Sequence, residues 1–230
     1  MPLAAAQTRA LKQLGGVVIV VAHCGLEYVP FPPPYVVAAF RALAEAGADC
    51  VIGHHPHVPQ GIEWWHGRPI LYSLGNFAFY QPTALFHRKT GYCVSLRCEG
   101  GRITAIELHP YRITDAGLRR LEPKEAQDFG RTLTRLSHPF SSAGGPARAW
   151  NAWLAYYGEA GFRAEVTGIL EKMTADPRKA AAMFRNRITT IQHVEHWQTF
   201  LTRMVDGGRR DFSRADYELV EEYLTRQAVS

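Results

Sequence analysis

The chain has 230 residues, 47% of them apolar and 20% charged, enough to bury one sizeable core or two modest ones and unlike a disordered composition. Its formal charge of +5 is spread evenly: nine Lys/Arg against six Asp/Glu before residue 114, and the remaining 17 against 15 after it. No basic tail or stripe emerges, so a nucleic-acid partner is not expected, and the surplus reads as an Arg-rich solvated surface.

Met1 to Leu14 carries Arg9, Lys12 and only scattered apolar residues, so it has neither a signal-peptide core nor a membrane span. As written the chain shows no export signal, which by itself does not assign a localisation. Gly16-Val17-Val18-Ile19-Val20-Val21-Ala22 then has the length and β-branched content of a buried parallel strand, and it ends at His23. Phe31-Pro32-Pro33-Pro34 breaks the chain. Tyr35 to Ala46 reads as a helix with Val36, Phe40, Leu43 and Ala44 inward, and Asp49-Cys50-Val51-Ile52 is a second strand running into Gly53-His54-His55-Pro56-His57. A strand, a crossover and a strand imply parallel pairing, which brings both histidine sites to one sheet edge, where open α/β sheets hold ligands.

From residue 61 the pattern shortens into hairpins. Gly61–Trp65 and Pro69–Ser73 join across His66-Gly67-Arg68, and Tyr92–Cys98 and Ile103–Tyr111 join across Glu99-Gly100-Gly101-Arg102. Between them Ser73-Leu74-Gly75-Asn76-Phe77 forms a loop returning to the sheet edge. After about Thr114 no strand is expected. Pro123 marks a first helical turn, Asp176-Pro177 a cap and first turn, and Ser213 with Asp216 a capping box. From Phe184 through Ile188, Ile191, Val194, Trp197, Leu201 and Met204 the apolar spacing predicts one helix of about six turns. The expected division is therefore 1–113 as an α/β unit and 114–230 as a helical extension.

Imidazole is the side chain most often used as a metal ligand. His55 and His57 are two apart, so on an extended segment they project to one side and can approach one ion or two neighbouring ions. His54 points the other way in that picture, free to fix a ligand or to contact an anionic substrate group. Glu27 follows His23 by four residues and reads as an acceptor for a ligand, a proton carrier or a surface carboxylate. Asn76 is a loop-organising or substrate-contacting amide. His193 and His196 read as exposed, with no acidic partner facing them. Cys24, Cys50, Cys93 and Cys98 lack CxxC spacing and read as reduced, small buried hydrophobes.

Three segments, Val20-Val21-Ala22-His23-Cys24-Gly25-Leu26-Glu27-Tyr28, Ala46-Gly47-Ala48-Asp49-Cys50-Val51-Ile52-Gly53-His54-His55-Pro56-His57 and Tyr72-Ser73-Leu74-Gly75-Asn76-Phe77, together resemble the CapA family. That is the poly-gamma-glutamate and capsule biosynthesis group of the calcineurin-like metallophosphoesterases. The resemblance covers about residues 15–112 and implies a four-layer α/β/β/α sandwich whose strand-end loops hold two divalent metal ions. It makes His23, His55 and His57 metal ligands and leaves His54 and Glu27 as catalytic candidates and Asn76 as a substrate contact. Cys24 stands where the family usually has Trp. The family's Gly-Asp strand, its Asn-Glu segment and its Asn-Asn-His motif do not precede Val17, and three or four histidines cannot replace a bridging carboxylate.

The chain therefore resembles the carboxy-terminal half of such a domain, its remainder supplied by a missing amino-terminal segment or a partner chain. Weak or no phosphoester hydrolysis is expected of it alone. Two other readings stand beside this one: a non-catalytic module that binds an anionic polymer, and a mononuclear zinc hydrolase using three histidines and a water.

Overall fold

The computed structural model of the chain describes residues 2–208 and 211–228. Helix α1 (Pro2–Gln13), strand β1 (Ile19–His23), helix α2 (Pro34–Glu45) and strand β2 (Cys50–His54) come first. β1 and β2 pair in parallel as the crossover requires, with Ile19 opposite Cys50 and His23 opposite His54. One buried carboxylate ties these elements together. Asp49 accepts the Val18 N–H at 2.8 Å and the Lys12 ammonium at 2.7 and 2.8 Å, so α1 is fastened to the starts of both strands.

The predicted first hairpin forms strands β3 (Ile62–Trp65) and β4 (Arg68–Leu71) around His66-Gly67, whose φ values of 50° and 76° suit a tight two-residue hairpin turn. β4 also pairs in parallel with β2, giving a first sheet in the order β1-β2-β4-β3. β2 is apolar without interruption because both of its faces are covered. Val51 packs towards α2 with Ile70, Tyr72, Phe40 and Leu43. Cys50 and Ile52 pack the other way with Leu71, Tyr92 and Ile103.

Those last two residues belong to a second, antiparallel sheet of β5 (Thr90–Glu99), β6 (Arg102–Thr114) and β7 (Gly117–Arg120), in which Gly100-Gly101 makes the second predicted turn. β7 corrects the expectation of no strand beyond Thr114. All four of its residues are exposed, so no apolar alternation marks it, and it is held by backbone pairing to β6 and by Arg119 on Glu125. Cys93 and Cys98 are also corrected, being exposed. On β5 Val94 and Leu96 turn inward and Cys93 turns out, and Cys98 follows a register shift between Arg97 and Cys98. Cys50 is buried and Cys24 half-buried, and all four thiols are free.

The remainder is helical: α3 (Pro123–Ser137), α4 (Gly145–Ala175), α5 (Pro177–Thr189), α6 (Ile191–Val205) and α7 (Arg214–Thr225). Pro123 opens α3, Asp176 caps α5 by accepting the Lys179 N–H, and Ser213 with Asp216 forms the expected box on α7. α4 kinks at Gly158, where φ is 53° and ψ −169°. The expected single helix over 184–204 is two, because Thr190 adopts extended backbone (φ −90°, ψ 132°) and starts α6 afresh. The apolar spacing runs through this break because each helix carries its own apolar face.

His193 and His196 are buried, against expectation. α6 turns them inward with Phe200: His193 meets the Arg187 guanidinium at 2.8 Å, and His196 packs on Trp153 and Tyr157. A carboxylate lies near both: Glu165 accepts Tyr157 Oη, Trp197 Nε1 and Arg187 Nε, and acts on the two imidazoles through its charge alone. The fold is thus mixed α/β, and the helices do not stand apart from the sheets. Leu26, Val29, Phe31 and Val58, from the loops after β1 and β2, share one core with Trp150, Trp153, Phe200 and Tyr223. No described helix is long and apolar enough to cross a membrane.

Candidate functional site

The helical core fixes the loops that leave β1 and β2, and those loops carry the histidines. Cys24 N–H donates to the His54 carbonyl at 3.0 Å and Tyr28 N–H to the Pro56 carbonyl at 2.8 Å, lacing the two loops together. Of four non-glycine residues with positive φ among those described, three lie here: Tyr28 (60°), His55 (102°) and His57 (60°). Such backbone costs of order 1–3 kcal/mol per residue and persists where surrounding structure over-determines it. The segment is therefore not extended as its two-residue spacing suggested. Two left-handed residues, rather than strand alternation, turn His55 and His57 towards each other, ring centroids 6.0 Å apart.

The ligand-capable atoms of Glu27, His55 and His57 all lie within 4.8 Å of one another, and Glu27 Oε1 stands 3.9 Å from His57 Nε2. His23 adjoins this trio, its Nε2 3.3 Å from His55 Nδ1. His54 lines the same cavity, of about 290 Å³, together with His23, His55, His57, Asn76 and Phe77. Burial pushes the His54 and His55 imidazoles below their ordinary 6.5, and neighbouring imidazoles add to this. For His55 the Glu27 carboxylate opposes the shift. Neutral imidazoles are the form that accepts a cation.

Asn76 is buried, and its Oδ1 meets His57 Nδ1 at 2.7 Å. Since an amide oxygen only accepts, this pairing assigns the proton to Nδ1 and leaves the Nε2 lone pair turned to the Glu27 side. Asn76 is held in turn: its carbonyl accepts Tyr111 Oη at 2.9 Å, and Gly91 lets the two segments close on each other. A Cβ at Gly91 would lie 2.4 Å from that carbonyl oxygen. The second sheet thus sets the orientation of a histidine borne by the first.

The structure brings His23, His54, His55, His57, Glu27 and Asn76 into one site. Sequence reasoning passed over Tyr111, which has no local signal because its role depends on a contact 35 residues away. It also passed over Phe79, whose ring lies 5.9 Å from that of His57. Burial raises the Cys24 thiol above the ordinary 9.0, which disfavours the thiolate.

Similarity to known proteins falls on the segment that carries these loops. Residues 2–81 match the sequence model described as bacterial capsule synthesis protein PGA_cap, a span that holds every histidine of the site. Residues 2–81 are thus similar to the CapA family. This segment is similar to the PGA biosynthesis protein CapA of Bacillus subtilis, 46% identical over 70 residues, which is 30% of this chain and 18% of that protein. It is 47% identical over 64 residues to the capsule biosynthesis protein CapA of Bacillus anthracis, 28% of this chain and 16% of the relative. A longer match, 29% identical over 142 residues, joins 59% of this chain to 37% of a probable polyglutamine synthesis accessory protein of Mycobacterium tuberculosis. The chain thus spans well under half the length of these relatives.

Proposed function

We propose that the chain takes part in capsule or poly-gamma-glutamate biosynthesis, and that its histidine cavity is a divalent-metal site for a phosphoester. The observation that carries this reading is the convergence of one carboxylate and two imidazoles within 4.8 Å, with a third imidazole against them. This donor set, with Asn76 fixing the tautomer of one member, fits a metal such as zinc or manganese. Glu27, His55 and His57 would hold the ion and His23 would flank it. Once bound, the ion would supply Lewis-acid polarisation and a water acidic enough to attack near neutral pH. His54, neutral and facing the cavity, offers a hydrogen bond to an ester oxygen, and the half-exposed Glu27 is placed to accept a proton.

In the full-length form we read the site as a two-metal centre in a four-layer α/β/β/α sandwich, its further ligands coming from another segment or a partner chain. The open flank of β1 supports that reading. Val21 is 65% exposed on a parallel strand whose neighbour β2 is buried from Cys50 to Gly53, an apolar edge that invites another strand. Weak hydrolysis by this chain alone follows. The test is titration with Zn²⁺ and Mn²⁺ by calorimetry, followed by a phosphatase assay. Binding that His57→Ala weakens at least tenfold, with little turnover, is expected. No binding would refute the metal reading, and robust metal-dependent turnover abolished by His57→Ala would refute the half-site.

A second reading, a module that binds an anionic polymer, is favoured by a separate groove of about 450 Å³ lined by Tyr80, Lys89, Arg112, Asp115 and Arg119, in which the two arginines also pair with Glu125. Polyglutamate binding that persists in chelator and weakens with salt would support it.

A further inference from the structure

Two phenylalanines stand beside the histidine cavity in the position of least comfort for an apolar ring. Phe77 is 60% exposed and Phe79 55%, although they lie one and three residues after the buried Asn76. Phe77 lines the cavity and is braced edge-on by Tyr111, ring centroids 5.7 Å apart at 84°. Phe79 leans on His57 at 5.9 Å. Other aromatic faces nearby are already covered from within the chain. The Arg88 guanidinium lies 3.9 Å above Tyr28, and the Lys89 ammonium 3.8 Å above Tyr80.

Among the residues lining the cavity, Asn76 and Tyr92 each carry a hydrogen-bond donor that goes unused. Asn76 is 4% exposed, its Oδ1 is taken by His57, and its Nδ2 has no partner. A buried amide donor left unpaired is destabilising, and Asn76 lines the cavity, so the free donor marks a place for an acceptor. An oxyanion that accepts from Asn76 Nδ2 would have its substituent beside Phe77, the next residue along the same cavity wall.

We propose that Phe77 and Phe79 form a stacking wall of the substrate site, and that the cavity takes a phosphomonoester-type oxyanion whose alcohol carries a planar aromatic ring. The inference rests on the phosphoester reading above and adds to it the class of the substituent. An aliphatic chain would gain only from area, whereas the quadrupole of a phenyl ring rewards an offset or edge-to-face aromatic partner. Stacking on a protein ring is insensitive to the substituents of the ligand ring, which makes aryl and nucleoside esters equivalent here.

The test uses two phosphonates that cannot be hydrolysed, phenylphosphonate and methylphosphonate, titrated by calorimetry into the full chain loaded with Zn²⁺. Phenylphosphonate is expected to bind about tenfold tighter. In Phe77→Leu and Phe79→Leu, exposed positions where the fold tolerates the change, the ratio of the two affinities is expected to fall towards one. Equal affinities in the parent chain would overturn the stacking wall and leave the phosphoester reading standing. A phenyl preference kept by both leucine variants would mean a merely apolar wall and would overturn the aromatic assignment. Failure of both phosphonates while zinc still binds would overturn the phosphoester reading, and the wall with it.

Discussion

Replacing Arg41 by Met should destabilise the chain more than any change at an exposed site. Arg41 donates to Glu63 in a fork, Nη2 to Oε1 at 2.7 Å and Nε to both oxygens at 3.1 and 3.2 Å, while Tyr72 Oη donates to Oε2 at 2.7 Å. The Glu63 side chain is 3% exposed and that of Arg41 24%, so the pair is held away from bulk water. Arg41→Met leaves a buried carboxylate with one neutral donor. Breaking such a pair from one side costs about 3–5 kcal/mol, well above the roughly 1 kcal/mol of an exposed ion pair. Adding Glu63→Gln removes the stranded charge, so the double variant should recover at least half of that loss. Tyr72→Phe loses one hydrogen bond to a charged group, about 1.5–3 kcal/mol, and keeps the stacking on Phe40 and Phe140. Urea unfolding at pH 7, followed by circular dichroism, measures all three and the coupling between them. A cost below about 1 kcal/mol for Arg41→Met, or no recovery in the double variant, would refute the reasoning.

Three further outcomes are expected. Burial holds His87 and His196 down at about 4, against 6.5 when unfolded, so the unfolded chain binds more protons below pH 6.5. Stability should therefore fall as pH drops from about 6.5 to 4, by on the order of 3 kcal/mol for each histidine, and His196→Gln should flatten the slope of thermal midpoint against pH. Glu125, held at about 2 chiefly by its hydrogen bond from Arg119, extends the same acid sensitivity below pH 4.5. Asn76→Ala should weaken zinc affinity about 10–100-fold with an unchanged circular dichroism spectrum, and an unchanged dissociation constant would dismiss its orienting role. Gly53→Ala puts a methyl 2.1 Å from the Tyr72 carbonyl and 2.8 Å from the Phe40 ring, so β2 must shift. Loss of at least 2 kcal/mol together with weakened zinc binding should follow, and a neutral result would mean that β2 and β4 can part freely.

Much of this was legible in the residues because it depends on short-range pattern. β-branched runs made β1 and β2, proline-punctuated apolar spacing made α2, Gly100-Gly101 made its turn, and Asp176 and Ser213 opened their helices. With parallel pairing, that was enough to bring His23 and His54 side by side. Only the tertiary structure decided how the site closes. His55 and His57 converge through left-handed backbone that the neighbouring loops enforce, and Asn76 reaches His57 because Gly91 and Tyr111 of the second sheet hold its carbonyl. The burial of His193 and His196 and the break at Thr190 were equally invisible, since a helix face shows its period but not which neighbour will cover it. Local sequence fixes dihedral preference and periodicity, whereas the direction of a side chain in a loop is set by contacts made tens of residues away.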